Sequence, residues 1–377
     1  MKKITILALH LSTGGIEKAI ANLSNMLAPK YKVEIICNYK LEEAPAFFID
    51  ERVEIRYLMP NLKPNAKEFK MALKHFRLIK IFQEALKAIK ILYLRRKLMI
   101  QQVKLLSCDI AISTRDIYNK ILGKYGSDRI IKMAQEHNNN GDSKYVKKIV
   151  KSLKNIDYFL PVSKQLTNLY KAKLEGRRTK CMYIPHCLSN YPKEVSSLNE
   201  KNIISIGRLS SEKGFLDLID VFELVHKRHP DWHLNIAGDG QQRDEIEEKI
   251  QKKDLTKGVS LLGFQKEEEI QKQLEASSIY VMTSFQESFG LVLIEAEGYG
   301  IPILAFDSAK GPTEIIEHEK NGFLIANRNK QEMADKICKL IENYELRKRM
   351  GKAAREASAQ YKMEEVQKIW YGFIEDI

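Results

Sequence analysis

Apolar and polar positions follow two alternating rhythms along the chain. Short segments rich in apolar residues, which read as strands, occur at Lys3–Leu9, Val33–Cys37, Val53–Leu58, Cys108–Ser113, Ile130–Gln135, Tyr158–Val162 and Met182–Ile184. A second series follows at Ile203–Ile206, His233–Ala237, Val259–Leu262, Ile279–Met282 and Ile303–Phe306. Between the runs the apolar spacing changes to three and four. Ile16, Ile20, Leu23 and Leu27 predict a helix, others open at Phe215 and Leu291, and residues 63–104 read as long helical structure. Residues 331–359 read as helical and highly charged, a solvated face, and Val366, Ile369, Trp370 and Phe373 mark a last helix within Tyr361–Ile377. Strands alternating with helices imply parallel sheets, and two such series in 377 residues imply two doubly wound α/β domains. The polar run Asn190–Asn202, after Pro185-His186-Cys187, reads as the linker, which bounds a first domain at 1–190 and a second at 191–360.

The chemistry gathers where strands end. Gly14-Gly15 lies between the first strand and its helix, a ligand-facing turn that lacks the full G-x-G-x-x-G of a dinucleotide site. His137 opens the polar loop Glu136–Gly141, too rich in Asn for a helix. Arg208 and Lys213 flank a turn that opens the helix at Phe215. Two cations and a helix N-terminus suit a diphosphate, Arg by a bidentate fork and Lys as a point charge. Gly240 and Phe264 sit in the turns after the next two strands. After Ile279–Met282 comes T-S-F-Q-E-S-F-G-L-V-L-I-E-A-E, residues 283–297, a polar loop and then a helix start at Gly290, Leu291 and Val292. Glu287 stands in the loop and Glu295 inside the helix. Carboxylates accept hydrogen bonds and repel phosphate, so they point to hydroxyl groups. Together these features imply a ligand with both a phosphate and several hydroxyls; two solvated carboxylates are the alternative.

The Glu287/Glu295 pair around Phe289-Gly290, the run G-R-L-S-S-E-K-G at 207–214 and Gly300-Ile301-Pro302 resemble the E-x7-E pattern of the retaining glycosyltransferases of the family 4 type. The resemblance is most specific from Gly207 to Ile316 and looser over residues 40–130. It implies the GT-B fold, two Rossmann-like domains facing a cleft, with helix 361–377 crossing back to the first. It also implies transfer, with retention, of a hexose or N-acetylhexosamine from a nucleotide diphosphate sugar, a UDP-sugar, to a glycan or lipid-linked acceptor. The setting would be cell-surface polysaccharide, lipopolysaccharide or capsule synthesis. By the resemblance, Arg208, Lys213 and the Gly290–Val292 helix start hold the leaving diphosphate. Glu287 holds donor-sugar hydroxyls, Glu295 the ribose, and His137 the sugar near the reacting centre. Gly14 and Gly15 approach the donor phosphates and acceptor, Gly240 lies at the donor site, and the edge at Phe264 receives the base. The loop D-S-A-K-G-P-T-E-I-I at 307–316 departs from the commoner Gly-Gly form. No Asp-x-Asp triplet occurs, so stabilisation of the leaving group without a metal or other cofactor is the simplest expectation. A nucleotide-sugar epimerase or hydrolase of the same fold, or a non-catalytic membrane-surface protein, are the alternatives.

Charge adds a second theme. Residues 1–190 hold 36 Lys and Arg against 16 Asp and Glu, whereas the remainder holds 26 against 33. Twelve of the cations, against two Glu, fall between Lys63 and Lys104, where Phe69, Ala72, Phe76, Ile79, Phe82, Leu86, Ile89 and Tyr93 recur at helical spacing. A basic amphipathic segment on anionic lipid fits this pattern, and a solvated helix pair packed on its own domain fits it equally. No nucleic-acid-binding motif is present. The chain has no apolar run long enough to span a membrane, and five scattered cysteines match no metal spacing. These features predict a cytoplasmic protein, with peripheral contact on the inner face of the membrane as one of the two readings of its basic segment.

Overall fold

The computed structural model describes residues 1–138 and 143–377. It divides into two compact units, one running from Met1 to Ile184 and the other from Pro185 to Ile377; Asn138 and Ser163–Gln165 group with the second.

The first unit is built on a seven-stranded parallel sheet: β1 (Lys3–Ala8), β2 (Lys32–Tyr39), β3 (Glu54–Met59), β4 (Ile110–Ser113), β5 (Ile131–Glu136), β6 (Tyr158–Pro161) and β7 (Lys180–Cys181). Their spatial order is β3-β2-β1-β4-β5-β6-β7. Ile4, Ile6, Leu7 and Ala8 of β1 and Ile110, Ala111 and Ile112 of β4 are fully buried, as strands covered on both faces must be. Helix α1 (Gly15–Leu27) lays Ala19, Ile20, Leu23, Met26 and Leu27 onto this sheet. Between β3 and β4 the chain forms α2 (Ala66–Lys74) and the long α3 (Leu78–Lys104).

The second unit repeats the plan with β8 (Asn202–Ile206), β9 (His233–Ala237), β10 (Val259–Gly263), β11 (Ile279–Met282), β12 (Ile303–Phe306) and β13 (Gly322–Ile325), in the order β10-β9-β8-β11-β12-β13. Leu218, Ile219, Phe222 and Val225 of the helix Phe215–Arg228 pack with Leu234, Ile236, Ile279 and Val281 of the strands in one core. In each sheet the direction of strand addition reverses beside the first strand: between β1 and β4, and between β8 and β11. Loops at the carboxyl ends of such strands diverge and leave a crevice, where ligands of open α/β sheets bind.

Four expectations change in detail. The last strand of the first sheet is Lys180–Cys181, not Met182–Ile184. The ladder ends when the Met182 N–H donates to the Phe159 carbonyl, and Pro185, a few residues on, has no N–H to extend it. The polar run 190–202 is not a free linker. The Ser196 N–H donates to the Tyr299 carbonyl and its hydroxyl to that of Ser277, while Arg347 forks onto the Leu198 carbonyl, so this segment is tied to the second unit. Helices Lys330–Glu342 and Tyr344–Ser358 are not merely a solvated face, since they bury Met333, Ile337, Leu340, Met350 and Ala354. The last helix, Met363–Glu375, buries Val366, Trp370 and Ile374 at a spacing of four, whereas Ile369, expected on the same face, is turned to solvent.

Candidate active site

The reversal point of the second sheet places two loops side by side: Gly207–Gly214 after β8 and Thr283–Gly290 after β11. Their backbones are locked together. The Phe285 N–H donates to the Glu212 carbonyl at 2.8 Å, and the Thr283 hydroxyl donates to the Gly214 carbonyl at 2.9 Å. Gly214 is left-handed, with φ 68°, and a Cβ there would lie 2.2 Å from the Thr283 carbonyl oxygen. Only glycine allows both the turn and the close approach.

This contact brings Lys213 and Glu287 together. The Lys213 Nζ donates to the Glu287 Oε2 at 2.6 Å, with 24% and 16% of the side chains exposed. A cation suited to phosphate and a carboxylate suited to hydroxyls thus neutralise one another. Arg208, on the same loop, is exposed. Glu212 takes the Ser210 hydroxyl at 2.7 Å. Burial pushes its carboxyl up, but that bond, its backbone and the nearby Arg208 and Lys213 hold it below the ordinary value.

Gly290, left-handed with φ 95°, precedes the helix Leu291–Gly298. No side chain caps that helix, so the first-turn N–H groups around Leu291 and Val292 are offered to the loop mouth rather than to a side-chain acceptor. Glu295 is half-buried one turn further on. Phe289 is buried and fixes the turn from behind, with its ring edge-on to His186 at 5.3 Å and to Tyr361 at 5.7 Å. Burial drives the His186 imidazole down to about 4, so it packs there as a neutral ring. The G-P loop closes on the same turn: the Gly311 N–H donates to the Glu287 carbonyl at 2.9 Å.

The other residues expected at a donor site have distinct settings. Gly240 is a packing glycine, because a Cβ there would lie 2.3 Å from the Leu209 carbonyl oxygen. It shapes the cation loop from the neighbouring turn. Phe264, at the end of β10, is 58% exposed, an open ring of the kind that can stack on a planar ligand.

In the first unit, Gly14 lies between β1 and α1, and Gly15 is the first residue of α1. A Cβ on Gly14 would meet the Glu17 carboxylate at 2.2 Å, whereas one on Gly15 would meet nothing within 4 Å. Glu17 is buried in the first turn of α1 and paired with Arg115 Nη2 at 3.1 Å; His10 Nδ1 is 3.6 Å away. The Ser12 N–H donates to that Nδ1, and burial lowers the His10 pKa more than Glu17 raises it, so His10 is neutral. The pattern of glycines directed attention to this loop but not to Glu17, whose i+3 position after Gly14 was the available signal. His137 follows β5, half-buried. The rest of its loop, residues 139–142, lies outside the described residues.

Residues 190–357 match the family described as glycosyl transferases group 1. The chain carries a group 1 glycosyltransferase domain. Over 99% of its length it is 28% identical to all of a Haemophilus influenzae protein named an uncharacterized glycosyltransferase. Over 184 residues, 48% of this chain, it is 38% identical to the poly(ribitol-phosphate) alpha-N-acetylglucosaminyltransferase of Staphylococcus aureus and spans 36% of that longer protein. The crystal structure of S. aureus TarM, with fondaparinux, alpha-GlcNAc-glycerol and UDP, superposes with a TM-score of 0.79 at 20% identity, covering 99% of both chains. The two parallel-sheet units are therefore those of the GT-B fold, as the sequence resemblance implied.

Arg328 joins the two loops of the transferase domain and was not foreseen. It follows β13, and its guanidinium donates to the Thr283 carbonyl at 2.9 Å, the Ser284 carbonyl at 3.2 Å and the Asp217 carboxylate at 2.6 Å. Its plane lies 3.5 Å from the centre of the Phe285 ring and 4.5 Å from that of Phe306. Asp217 belongs to the helix opened by the cation loop; Thr283, Ser284 and Phe285 begin the Glu287 loop. One planar fork thus sets the register between them. Glu297 was likewise unforeseen. It is buried, accepts from the Asn321 side chain at 2.7 Å, and burial raises its pKa well above the ordinary carboxylate value. Among the described residues, no group of three or more His, Cys, Asp or Glu is placed to hold a metal ion.

Proposed function

We propose that this glycosyltransferase moves a hexose or N-acetylhexosamine from a UDP-sugar, with retention of configuration, to a glycan or lipid-linked acceptor of a cell-surface polysaccharide. The observation that carries the reading is the Lys213–Glu287 pair at the reversal point of the second sheet, beside an uncapped helix start. Anion-binding and hydroxyl-binding groups stand next to each other there, as a sugar diphosphate requires. The named activity of the S. aureus relative and the UDP and alpha-GlcNAc-glycerol in the TarM structure support the donor and acceptor classes.

In this reading the donor separates the pair. Its diphosphate takes Lys213, Arg208 and the N–H groups at Gly290–Val292, while its sugar hydroxyls take Glu287. Glu295 holds the ribose, and Phe264 lies at the base. When the anomeric C–O bond breaks, its electron pair leaves with the diphosphate, and the cations and helix dipole stabilise the charge that develops. The acceptor hydroxyl oxygen forms the new bond to the anomeric carbon, and its proton passes to the departing diphosphate. His137 lies near the transferred sugar, and the Gly14-Gly15 loop, with Glu17 and Arg115 beneath it, serves the acceptor. The protein side chains do this work without a metal.

Thermal shift with UDP, UDP-glucose, UDP-N-acetylglucosamine and the corresponding GDP-sugars tests the donor, because ligand bound only to the folded state raises the melting temperature. A UDP-sugar should stabilise the protein more than UDP does, and Glu287→Gln should abolish that difference. No stabilisation by any nucleotide sugar would overturn the reading. Donor turnover without any acceptor would replace transferase activity with hydrolysis or epimerisation, and loss of transfer in EDTA would overturn the metal-free part.

A further inference from the structure

The segment between β3 and β4 breaks the rule that a helix turns its apolar stripe inward. Of the 17 large apolar side chains exposed among the described residues, ten fall between Met71 and Tyr93. Helix α3 has two halves. Its C-terminal half is anchored: Ile91, Met99 and Val103 are buried, Leu94 and Leu98 pack with Tyr39 and Met59 against the sheet, and the Asn38 amide donates to the Arg95 carbonyl at 3.1 Å. Its N-terminal half projects with α2 as a helical hairpin, pinned by the Asn65 amide on the Glu84 carbonyl at 2.8 Å. Phe76, at the hairpin tip, is 86% exposed. Ile79, Phe82, Leu86, Ile89 and Tyr93 recur at intervals of three and four, forming one continuous solvent-facing stripe.

Cations border the stripe. Lys70, Lys74, Arg77, Lys80, Lys87 and Lys90 are all exposed, and among the described residues no carboxylate forms an ion pair with any of them. Among the described residues, nothing in the first unit covers the stripe. A second copy of the chain is disfavoured by charge, since it would lay one set of twelve cations and two acids against another. An occupant must be apolar in depth and negative at its surface. We propose that the α2–α3 hairpin is a membrane-docking device that lies in the plane of an anionic lipid bilayer. Phe76, Ile79, Phe82, Leu86 and Ile89 enter the acyl boundary, and the bordering lysines rest among the headgroup phosphates. No helix of the described chain is long and apolar enough to cross a membrane, so the hairpin docks and does not span. The proposal is independent of the donor, the acceptor and the transfer reaction.

The test is sedimentation of the full-length protein with vesicles of phosphatidylcholine alone and of phosphatidylcholine with phosphatidylglycerol, across a salt series. The wild type should partition strongly onto the anionic vesicles at low salt and retain a fraction of that binding at high salt. A Lys80→Gln, Lys87→Gln, Lys90→Gln triple variant should weaken low-salt binding on the order of 10²-fold, about fivefold for each cation near the surface. An Ile79→Gln, Phe82→Gln variant should remove the salt-resistant fraction. All four of the other substituted side chains and Lys80 are solvent-exposed, so circular dichroism and melting should match the wild type. Phe82→Trp should shift its emission to the blue on anionic vesicles only. Equal partitioning onto neutral and anionic vesicles, or none onto either, would overturn the proposal. So would an Ile79→Gln, Phe82→Gln variant that changes the oligomeric state in solution and leaves vesicle binding unaltered, for the stripe would then belong to a second copy.

Discussion

The two units share a strand order and differ in where their sequence is constrained. In the second, the loops at the sheet's reversal point are held by contacts with no slack: Gly214 against Thr283, Gly240 against Leu209, Arg328 across both loops. In the first, Gly15 faces open space, and its largest elaboration, the α2–α3 hairpin, turns apolar side chains to solvent. The same topology therefore serves one unit whose loops are locked together and another that carries an exposed apolar surface. The tight unit is where the sequence resemblance was specific; the looser one is where it faded.

The largest effect should come from the tight unit. Lys213→Ala removes a charge-assisted contact to the proposed leaving group and leaves the Glu287 carboxylate without its 2.6 Å partner. A fall in kcat/KM on the order of 10²-fold, about 3 kcal/mol, is expected with the fold retained. Steady-state kinetics close to wild type would remove Lys213 from the diphosphate site.

Glycine substitutions set the two units against each other directly. Gly214→Ala places a methyl group 2.2 Å from a carbonyl oxygen at φ 68° and should cost about 3 kcal/mol in denaturant melts. Gly15→Ala meets no atom within 4 Å and should stay within about 0.5 kcal/mol of wild type, with any kinetic change confined to the acceptor KM. Equal destabilisation by both would erase the contrast.

Arg328→Ala should destabilise by about 2 kcal/mol, since it leaves two loop carbonyls without their donor and Asp217 with Lys330 as its remaining cation, and should raise the donor KM as the loops lose register. Arg328→Lys keeps the charge without the planar fork. It should recover most of the stability but little of the donor KM, and full recovery of both would reduce Arg328 to a simple ion-pair partner.

The smallest effect is a pH dependence. The Glu297 pKa is raised in the folded state, so its contribution is fully present below the unfolded carboxylate value and is lost as pH rises toward the folded one. Glu297→Gln retains an oxygen for Asn321 and has no proton to lose. Wild-type stability should fall relative to this variant as pH rises from below 4 to 7. Parallel stability-against-pH curves for the two proteins would show that Glu297 does not titrate.

Strands such as Ile279–Met282 and Ile303–Phe306 were legible because a parallel strand covered on both faces is apolar at nearly every position. Met182–Ile184 was misread for the same reason: its composition is right, but the backbone pairing that defines a strand stops before it. In the candidate site, Arg208, Lys213, Glu287 and Glu295 stood out by residue type and spacing. Their arrangement did not, since nothing in the spacing says that Lys213 and Glu287 touch. Arg328 was invisible because carbonyl oxygens are its main partners, and every residue has one. Glu297 carried no signal of its own, because its burial depends on Asn321 and a helix enclosed on most sides.

The Lys213–Glu287 contact also sets a condition on what the site accepts. An inorganic anion that captures Lys213 strands a largely shielded carboxylate, and a neutral sugar that captures Glu287 strands a largely shielded ammonium. Only a molecule presenting negative oxygens and hydroxyls together gives both side chains a replacement. On the proposed assignment, the resting pair works as a logical conjunction, rejecting the abundant free phosphates and free sugars of a cell while admitting the rarer molecule that joins the two.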